Sequence, residues 1–427
     1  MDDPGALATS LRRAAARFGT PLYAVDVAGL HAAADELEAA FPDPWQRRYS
    51  LKANDEPAIV RLLAGRGLGA NVVSRGEWAL ARAAGVTNDA ITLEGVGKTD
   101  ADLGAAVRTA ARGEPLAWVA VESADELHAL ARLARRAGLG RGDRPSLEVL
   151  LRLNPDVAPE THRGLAVGRG ASKFGFSETE LTAAADAASS DAPAVTLRGI
   201  QLHVGSQLGA VDAWRDAVRL GLAILGLLRG GVDGFDTLDV GGGFPVGSRD
   251  GAVPTPTTFA RLIPGLLDGL PEDRRPRRWA VEPGRFLVAN AGWLVGRVLH
   301  VRDRAGAPPL VVLDVGMTEL IRPALYGVQH PVVALTSLGR PVGTRDPAGD
   351  AAGAATRVEG PVCESTDSLG VHFLPPLRRG DLVAIAQAGA YADSMATTYN
   401  GRPRPPVVLI GPDGAVERVR RRGRLGR

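Results

Sequence analysis

The chain has 427 residues, of which 45% are hydrophobic and 23% are charged, so it is long enough for two domains with a core each. Its 50 Lys and Arg nearly balance its 48 Asp and Glu, and a net charge of +2 argues against a nucleic-acid partner. The single cysteine, Cys363, excludes an internal disulfide framework and fits a cytoplasmic protein. The acidic start, Met1-Asp2-Asp3-Pro4, and the absence of a long apolar run predict neither a signal peptide nor a membrane span.

Strand-like and helix-like segments alternate over the first two thirds of the chain. The helical segments, such as Asp125–Arg136 and Ala213–Leu228, carry apolar residues at helical spacing. Eight alternations over about 250 residues are typical of a (β/α)8 barrel, whereas a doubly wound open sheet would gather its chemistry at one crevice. The predicted strands are 48–53, 69–74, 91–95, 116–122, 147–153, 198–204, 236–241 and 278–283.

After Pro283 the pattern changes to short β-rich runs separated by Gly and Pro, which predicts a second, all-β domain. The early strand Pro21–Val25 could join it. We therefore expect a barrel over 28–283 and a β domain made of 1–27 plus 284–427. We also expect a surface loop at 340–355 and a solvated basic end at 418–424. The predicted strands of the β domain are 293–301, 309–315, 331–336, 356–362, 381–386 and 406–409.

Lys52 follows the first predicted barrel strand and is flanked by apolar Leu51 and Ala53. Lysine is rarely buried without a reason. Two interpretations are equally good on this segment alone: a strand-end lysine that reaches water, or a functional amine able to bond covalently to a carbonyl group.

A glycine triplet, Gly241–Gly243, follows the seventh predicted strand. Three glycines leave backbone N–H groups free to approach a phosphate, although tight turns use the same residues. In barrels of this class the loop after strand seven is a frequent phosphate site, and that position favours the phosphate interpretation.

Two other strand ends carry candidate functional groups. Glu282 ends the eighth strand, where its carboxylate could keep a cofactor's pyridine nitrogen protonated, and Arg285 could bind a carboxylate with two hydrogen bonds. A strand-end salt bridge is the ordinary alternative for Glu282. His203 ends the sixth strand, where its ring could stack on a flat cofactor and Ser206 could donate to a phosphate.

These four segments, together with three others, resemble the fold-type III pyridoxal-phosphate (PLP) decarboxylases, whose barrel is alanine-racemase-like. Within that group the diaminopimelate decarboxylases match best. The resemblance runs from about Gly19 to about Arg404, with the motifs in the family's order. The motifs are Tyr49-Ser50-Leu51-Lys52-Ala53-Asn54, His203–Gln207, Gly241–Phe244, Glu282–Arg285, Ile321–Tyr326, Cys363–Asp367 and Gly389-Ala390-Tyr391.

The resemblance implies a role for each candidate residue. Lys52 would be the Schiff-base lysine, while Cys363 and Glu364 would reach the active site of the partner subunit in an obligate homodimer, with the cysteine as proton donor. No metal is implied. The other PLP-binding residues would be His203, Ser206, Gly241, Gly242, Gly243, Glu282, Gly284, Arg285 and Tyr391. The substrate-binding residues would be Arg285, Arg322, Tyr326, Glu364 and Tyr391.

The reaction implied is the PLP-dependent decarboxylation of an amino acid, with meso-diaminopimelate to L-lysine as the first expectation. Departures from the family pattern leave another substrate open, either a different amino acid or a carrier-tethered intermediate of a specialised pathway. The departures are Asn71 for the usual aspartate, Ser172 for the usual asparagine, Thr366 for the commoner glycine, and Gly243-Phe244-Pro245-Val246, which resembles the ornithine decarboxylases.

Two further alternatives belong to other functional classes. An amino-acid racemase would need a second base on the opposite face of the cofactor ring, and the pair Cys363-Glu364 favours a decarboxylase instead. A non-catalytic PLP-binding protein would typically be a bare barrel or lack the lysine, whereas this chain has both Lys52 and a full β domain.

Overall fold

The computed structural model describes residues 4–142, 145–161, 168, 172–188, 194–247, 253–303, 305–335, 341–342 and 353–424. They form two compact units: the described residues within 34–247 and 253–286, and those within 4–33 and 287–424. Most of the predicted loop at 340–355 lies outside the described residues. None of the helices formed by these residues has the length and hydrophobicity that a bilayer crossing requires.

The elements of the described residues are numbered in chain order. The strands are β1 Leu22–Asp26, β2 Gln46–Ser50, β3 Gly69–Val72, β4 Ile91–Leu93, β5 Trp118–Val121, β6 Leu147–Leu153, β7 Val195–Leu202, β8 Thr237–Asp239, β9 Arg278–Val281, β10 Gly292–Arg302, β11 Leu310–Leu313, β12 Val332–Leu335, β13 Pro341–Val342, β14 Ala354–Glu359, β15 Ser368–Leu374, β16 Leu382–Ile385, β17 Val407–Ile410 and β18 Val416–Arg420. The α-helices are α1 Pro4–Phe18, α2 Val27–Ala40, α3 Pro57–Ala64, α4 Arg75–Ala83, α5 Asp100–Ala111, α6 Ala124–Arg136, α7 Glu178–Ala188, α8 Asp212–Leu228, α9 Pro256–Ala260, α10 Ile263–Leu267, α11 Arg285–Val288 and α12 Arg322–Tyr326.

The first unit is a closed barrel, in which the described strands β2 to β9 pair in parallel and β9 returns to β2. The predicted (β/α)8 class is confirmed. Inside the ring Trp118, Ala120, Leu150 and Ala280 form a small apolar cluster, and the guanidinium of Arg48 lies 4.3 Å from the centre of the Trp118 ring. Because parallel strands all run the same way, the residues that follow each strand gather at one rim.

The turns from strand to helix are closed by a repeated capping pattern. At α4, α5 and α6 a Ser or Thr precedes the helix. Three positions later an acidic side chain accepts a hydrogen bond from the backbone N–H of that Ser or Thr or of the residue before it. In α5 the Thr99 hydroxyl accepts from Asp102 N–H at 3.3 Å, while the Asp102 carboxylate accepts from Thr99 N–H at 2.8 Å. These contacts satisfy N–H groups that a helix start leaves without intrahelical partners.

The second unit is built on a sheet whose described strands run in the order β13-β12-β16-β10-β1-β17-β18, with β11, β14 and β15 continuing from β10. A mostly β second unit is thus confirmed. β1 pairs with β10 and β17, so the early strand joins this sheet as predicted. Leu294, Leu313 and Val332 pack in one core of the sheet, and Leu11 of α1 packs in another.

Three described strands of the second unit were missed from the sequence: β13, which lies inside the predicted loop at 340–355, β15 and β18. β15 contains Gly370 and exposes Val371 and Phe373, so it lacks an apolar run. β18 carries some of the arginines expected to form a solvated end. That expectation is wrong for Arg420, because β18 pairs with β17 and Arg420 donates to both carboxylate oxygens of Asp393 at 2.6 Å. Cross-strand pairing and a buried partner charge outweigh the low β-propensity of these residues.

Replacing Thr99 with alanine should lower the free energy of unfolding by about 1 kcal/mol, because α5 loses its capping hydroxyl. Urea denaturation monitored by circular dichroism measures the loss. Thr109→Ala in the same helix is the control, since its hydroxyl bonds only back to Ala105 O and Ala106 O. Equal losses in the two variants would contradict the capping assignment.

Candidate active site

Lys52 lies immediately beyond the first barrel strand. β2 ends at Ser50, and Leu51–Ala53 form one 3-10 turn rather than the continued strand that the sequence predicted. Ser50 N–H donates to Pro283 O at 2.9 Å, which ties this turn to the segment after β9. Both neighbours of Lys52 in the turn are buried and Lys52 itself is half-buried. The turn is therefore fixed by its apolar side chains and leaves the amine partly accessible.

The glycine triplet after β8 lies against neighbouring backbone. A Cβ on Gly241 would collide with Leu202 O, and one on Gly242 would collide with Glu282 O. Gly241 also has a φ of +67°, in the left-handed region that side chains rarely adopt. Only glycine can therefore occupy positions 241 and 242 without displacing the neighbouring backbone.

Arg285 and Ser206 meet beside the glycine triplet. The buried Arg285 guanidinium donates to Ser206 Oγ from Nε at 3.2 Å and from Nη2 at 3.0 Å. A Cβ on Gly243 would collide with Gly205 O, the residue before Ser206. Because the serine oxygen accepts from the arginine, its own proton is available to an incoming anion. A cation, a hydroxyl and glycine backbone thus converge on one place.

Glu282 is a buried carboxylate at the end of β9. Asn71 Nδ2 donates to one of its oxygens at 2.5 Å, and Gln201 Nε2 donates to the other at 3.0 Å. Burial and the charge of Asp239 raise the pKa of Glu282 to about 7, while the amine of Lys52 acts in the opposite direction. The carboxylate is oriented by two amide groups that carry no charge.

His203 follows β7 and is half-buried. Gly242 N–H donates to its Nδ1 at 3.4 Å, a geometry that leaves the ring proton on Nε2. Burial, together with the positive charges of Lys52 and Arg152, lowers the pKa of His203 well below its usual value. The imidazole is therefore neutral at physiological pH and joins the rim to the glycine triplet.

The remaining predicted residues belong to the second unit. Arg322, the first residue of α12, is buried, and its Nη1 lies 3.1 Å from His330 Nε2. His330 Nδ1 lies 3.1 Å from Ala386 O, which can only accept, so Nε2 is the acceptor for the arginine. Tyr326 closes the same helix, and Tyr391 has a φ of +57°. The barrel candidates and these residues are thus divided between the two units.

Cys363 and Glu364 lie in an exposed loop that is rigidly anchored. The buried Asp367 accepts from Val362 N–H at 2.7 Å and from Met317 N–H at 2.6 Å. Glu364 Oε1 accepts from Tyr399 O–H at 2.8 Å. Cys363 is a free, exposed thiol. The loop therefore presents both predicted residues at the surface of its own unit in one defined conformation.

Sequence reasoning missed the polar residues that surround Glu282. Asn71 was noted only as a departure, and Gln201, Glu94 and Asp239 were not chosen. All four are buried. The available signal was the presence of polar residues at inward-facing positions of otherwise apolar strands, since a buried polar group needs a partner.

Comparison with known proteins identifies the family. The model of the pyridoxal-dependent decarboxylase, pyridoxal binding domain, matches residues 27–289. The chain belongs to the pyridoxal-dependent decarboxylases. It is 33% identical to diaminopimelate decarboxylase of Aquifex aeolicus over 97% of this chain and 91% of that protein, and 34% identical to that of Pseudomonas aeruginosa over 97% and 92%.

Solved structures agree with this assignment. The crystal structure of diaminopimelate decarboxylase from Helicobacter pylori complexed with L-lysine has a TM-score of 0.84 at 29% identity, and the match covers 95% of this chain and 94% of that one. The lysine/ornithine decarboxylase of Vibrio vulnificus complexed with putrescine has a TM-score of 0.76 at 25% identity, covering 94% and 97%. The predicted cofactor, PLP, and the predicted class of carboxy-lyase are confirmed, and the racemase and non-catalytic alternatives lose their support.

The barrel residues fit PLP on three independent observations. Arg285, Ser206 and the glycine backbone form an anion site. Glu282 is a buried carboxylate of the kind that holds a proton on a pyridine nitrogen. Lys52 supplies a partly accessible amine on a fixed turn.

Replacing Gly242 with alanine should weaken PLP binding by at least about tenfold, because the new Cβ would push the glycine triplet away from Glu282 O. Titration of the apoenzyme with PLP, monitored by visible absorbance, measures this. Gly230→Ala is the matched control, since a Cβ there meets nothing within 4 Å. Wild-type affinity in Gly242→Ala would show that the triplet does not hold the cofactor.

Proposed function

We propose that this enzyme decarboxylates meso-diaminopimelate to L-lysine. The Aquifex and Pseudomonas relatives, aligned over 97% of this chain, are both named diaminopimelate decarboxylase, and the Helicobacter structure contains L-lysine. The observation that carries the proposal is one barrel rim that has the amine of Lys52 beyond β2 and the buried carboxylate of Glu282 beyond β9.

The anion site of the barrel is assigned to the phosphate of PLP. Its donors are the Arg285 guanidinium, the Ser206 hydroxyl and the amide of Gly243, while Gly242 N–H bonds to His203. The sequence left Arg285 with two roles, cofactor and substrate. Its two hydrogen bonds to Ser206, beside Gly243, support the cofactor role. Gly284 then lets the segment after β9 pack closely on the Lys52 turn, since a Cβ there would lie 3.2 Å from the Cβ atoms of Ser50 and Ala53.

The other barrel residues are assigned to the cofactor ring and to the reacting bond. PLP, when bound, supplies an aldehyde that captures an amine and a ring that accepts electrons as the Cα–carboxylate bond breaks. Glu282 holds the proton on the ring nitrogen, and the neutral ring of His203 packs on the cofactor face. Lys52 would hold the cofactor through its amine whenever no substrate amine has replaced it.

The second unit is assigned to substrate recognition. Arg322 and Tyr326 bind a substrate carboxylate, Glu364 binds the distal ammonium group, and Tyr391 contacts both cofactor and substrate. Support comes from the Arg322 side chain, which is buried and oriented by His330, so that a guanidinium is held in place before substrate arrives. A substrate with a second carboxylate and a second amine matches this set.

We propose a homodimer in which Cys363 and Glu364 enter the partner's site and Cys363 returns a proton to Cα. Support comes from the exposed loop that Asp367 anchors through two backbone N–H groups. Ordering an exposed loop costs conformational entropy, and contact with a partner subunit would offset that cost. Val371 and Phe373, both exposed, alternate along β15 and so share one face. Exposed apolar side chains on a strand face are typical of an interface.

We also propose that the enzyme works in the cytoplasm. The role assigned to Cys363 requires a reduced thiol, and the cytoplasm keeps exposed thiols reduced.

Shared active sites predict complementation between two inactive variants. Lys52→Ala and Cys363→Ala should each be inactive alone, yet subunit exchange between them should restore about a quarter of the wild-type activity. Random exchange makes half of the dimers mixed, and each mixed dimer has one site with both residues intact. Steady-state assays after mixing measure the recovery. If each subunit built its site alone, no mixture would regain activity.

A substrate panel tests the reaction itself. We expect CO₂ release and lysine from meso-diaminopimelate, with at most slow turnover of ornithine, lysine and arginine. Turnover of another amino acid with no reaction of diaminopimelate would favour the alternative of a relative with a different substrate, which the departures at Asn71, Ser172 and Thr366 left open.

Lys52→Arg is the control for this panel, because it retains the charge but cannot bond covalently to the cofactor. Turnover should fall by at least about a thousandfold. Borohydride reduction of the wild-type holoenzyme should attach PLP to Lys52, as read by peptide mass mapping. A label at another lysine would contradict the assigned active site.

A further inference from the structure

Three buried carboxyl groups meet below the barrel rim. Glu94, which follows β4, Asp239 of β8 and Glu282, which follows β9, each place an oxygen so that all three oxygens lie within 4.8 Å of one another. Each comes from a different strand end, so the ring closure brings them together.

The surroundings do not supply enough positive charge for three carboxylates. Arg48 lies over the Trp118 ring, and burial lowers its pKa to about 10. Arg152 Nη1 donates to Glu122 at 2.7 Å, so its charge is already balanced. Like charges this close in a dry interior cannot all be ionised, so at least one carboxyl group keeps a proton.

The hydrogen bonds indicate which carboxyl group keeps the proton. Glu282 accepts from Asn71 and Gln201, and Asp239 accepts from Gly241 N–H at 2.9 Å, so both have donors that favour the charged form. Glu94 Oε1 and Asp239 Oδ2 each have no hydrogen-bond partner among the described residues, but Asp239 keeps the Gly241 N–H donor on its other oxygen, whereas Glu94 shares the Asn71 amide with Glu282. Glu94 therefore has the weakest stabilisation as an anion.

The interaction between Glu94 and Glu282 has opposite effects on the two groups. Burial, the charge of Glu282 and a hydrogen bond between the side chains raise the pKa of Glu94 well above its usual value. The same hydrogen bond lowers the pKa of Glu282, against the larger effect of burial. Of the two groups, Glu94 therefore holds a proton more readily than Glu282.

We propose that Glu94 is a positioning residue for the cofactor: it carries a proton at neutral pH and donates a hydrogen bond to Glu282, which favours the ionised form of Glu282 that faces the ring nitrogen of PLP. The inference rests on the proposed function in that Glu282 faces the ring. The groups that face the pair from neighbouring elements are Arg48, Lys52, Asn71, Thr92, Arg152, Gln201 and Asp239.

The proton on Glu94 can be detected without the cofactor. At a pH where exposed carboxyl groups are ionised, the infrared spectrum of the apoenzyme should contain a protonated-carboxyl band that shifts in D₂O, and Glu94→Gln should remove that band. Glu148→Gln is the control, because Glu148 forms ion pairs with Arg198 and Arg278 and its loss should leave the band unchanged. A wild-type band in Glu94→Gln would overturn the proposal.

Two variants of Glu94 separate the donated proton from the charge. Glu94→Gln is neutral and still has an N–H donor, so PLP affinity should stay within about threefold of wild type. Glu94→Leu has no donor; PLP affinity should fall by about tenfold or more, and the acid limb of the kcat profile should move to higher pH because the pKa of Glu282 rises. An equal loss of PLP affinity in both variants, or no loss in Glu94→Leu, would overturn the proposed role of Glu94 as a hydrogen-bond donor.

The outcomes also separate this inference from the proposed function. Failure of Lys52 labelling would reject the proposed function and leave the infrared result on Glu94 standing. Labelled Lys52 with no Glu94 band would reject only the role of Glu94.

Discussion

Closure of eight parallel strands into a ring is the constraint on which the rest of this protein depends. It places Lys52, His203, the glycine triplet and Glu282 at one rim, although these residues are separated by up to 230 positions in the chain, the difference between 282 and 52. The capped turns after β3, β4 and β5 then direct the chain from strand to helix. No other part of the barrel unit has to bend for the rim residues to come together.

The same closure brings polar side chains together in the barrel interior, and their hydrogen bonds set the charge and the orientation of the rim residue Glu282. Glu282 is useful to a pyridine ring only as an anion, yet burial opposes its charge. Asn71 and Gln201 compensate by donating neutral hydrogen bonds, which orient the carboxylate without adding a competing charge. The interior is therefore an electrostatic support for the rim as well as an apolar core around Trp118.

The second unit holds functional side chains in fixed positions. His330 holds Arg322 through a defined tautomer, and Asp367 holds the Cys363 loop through two backbone N–H groups. In both cases a buried side chain orients a residue that was predicted to act on substrate. Such preorganisation reduces the entropy that is lost when a ligand binds.

Strand–helix alternation was enough to predict the barrel and the β unit, because hydrophobic periodicity is a local property of the chain, whereas PLP and the role of Lys52 were predicted from the resemblance of the strand-end motifs to a known family. β15 and β18 each pair with the strand just before them as a hairpin, and they were missed because their own residues include exposed and charged side chains that give no clear apolar pattern. The tertiary structure alone decided the contact of Arg285 with Ser206 and the cluster around Glu282. Protonation and orientation of buried groups depend on which side chains ring closure brings within a few ångströms, and no local pattern records that distance.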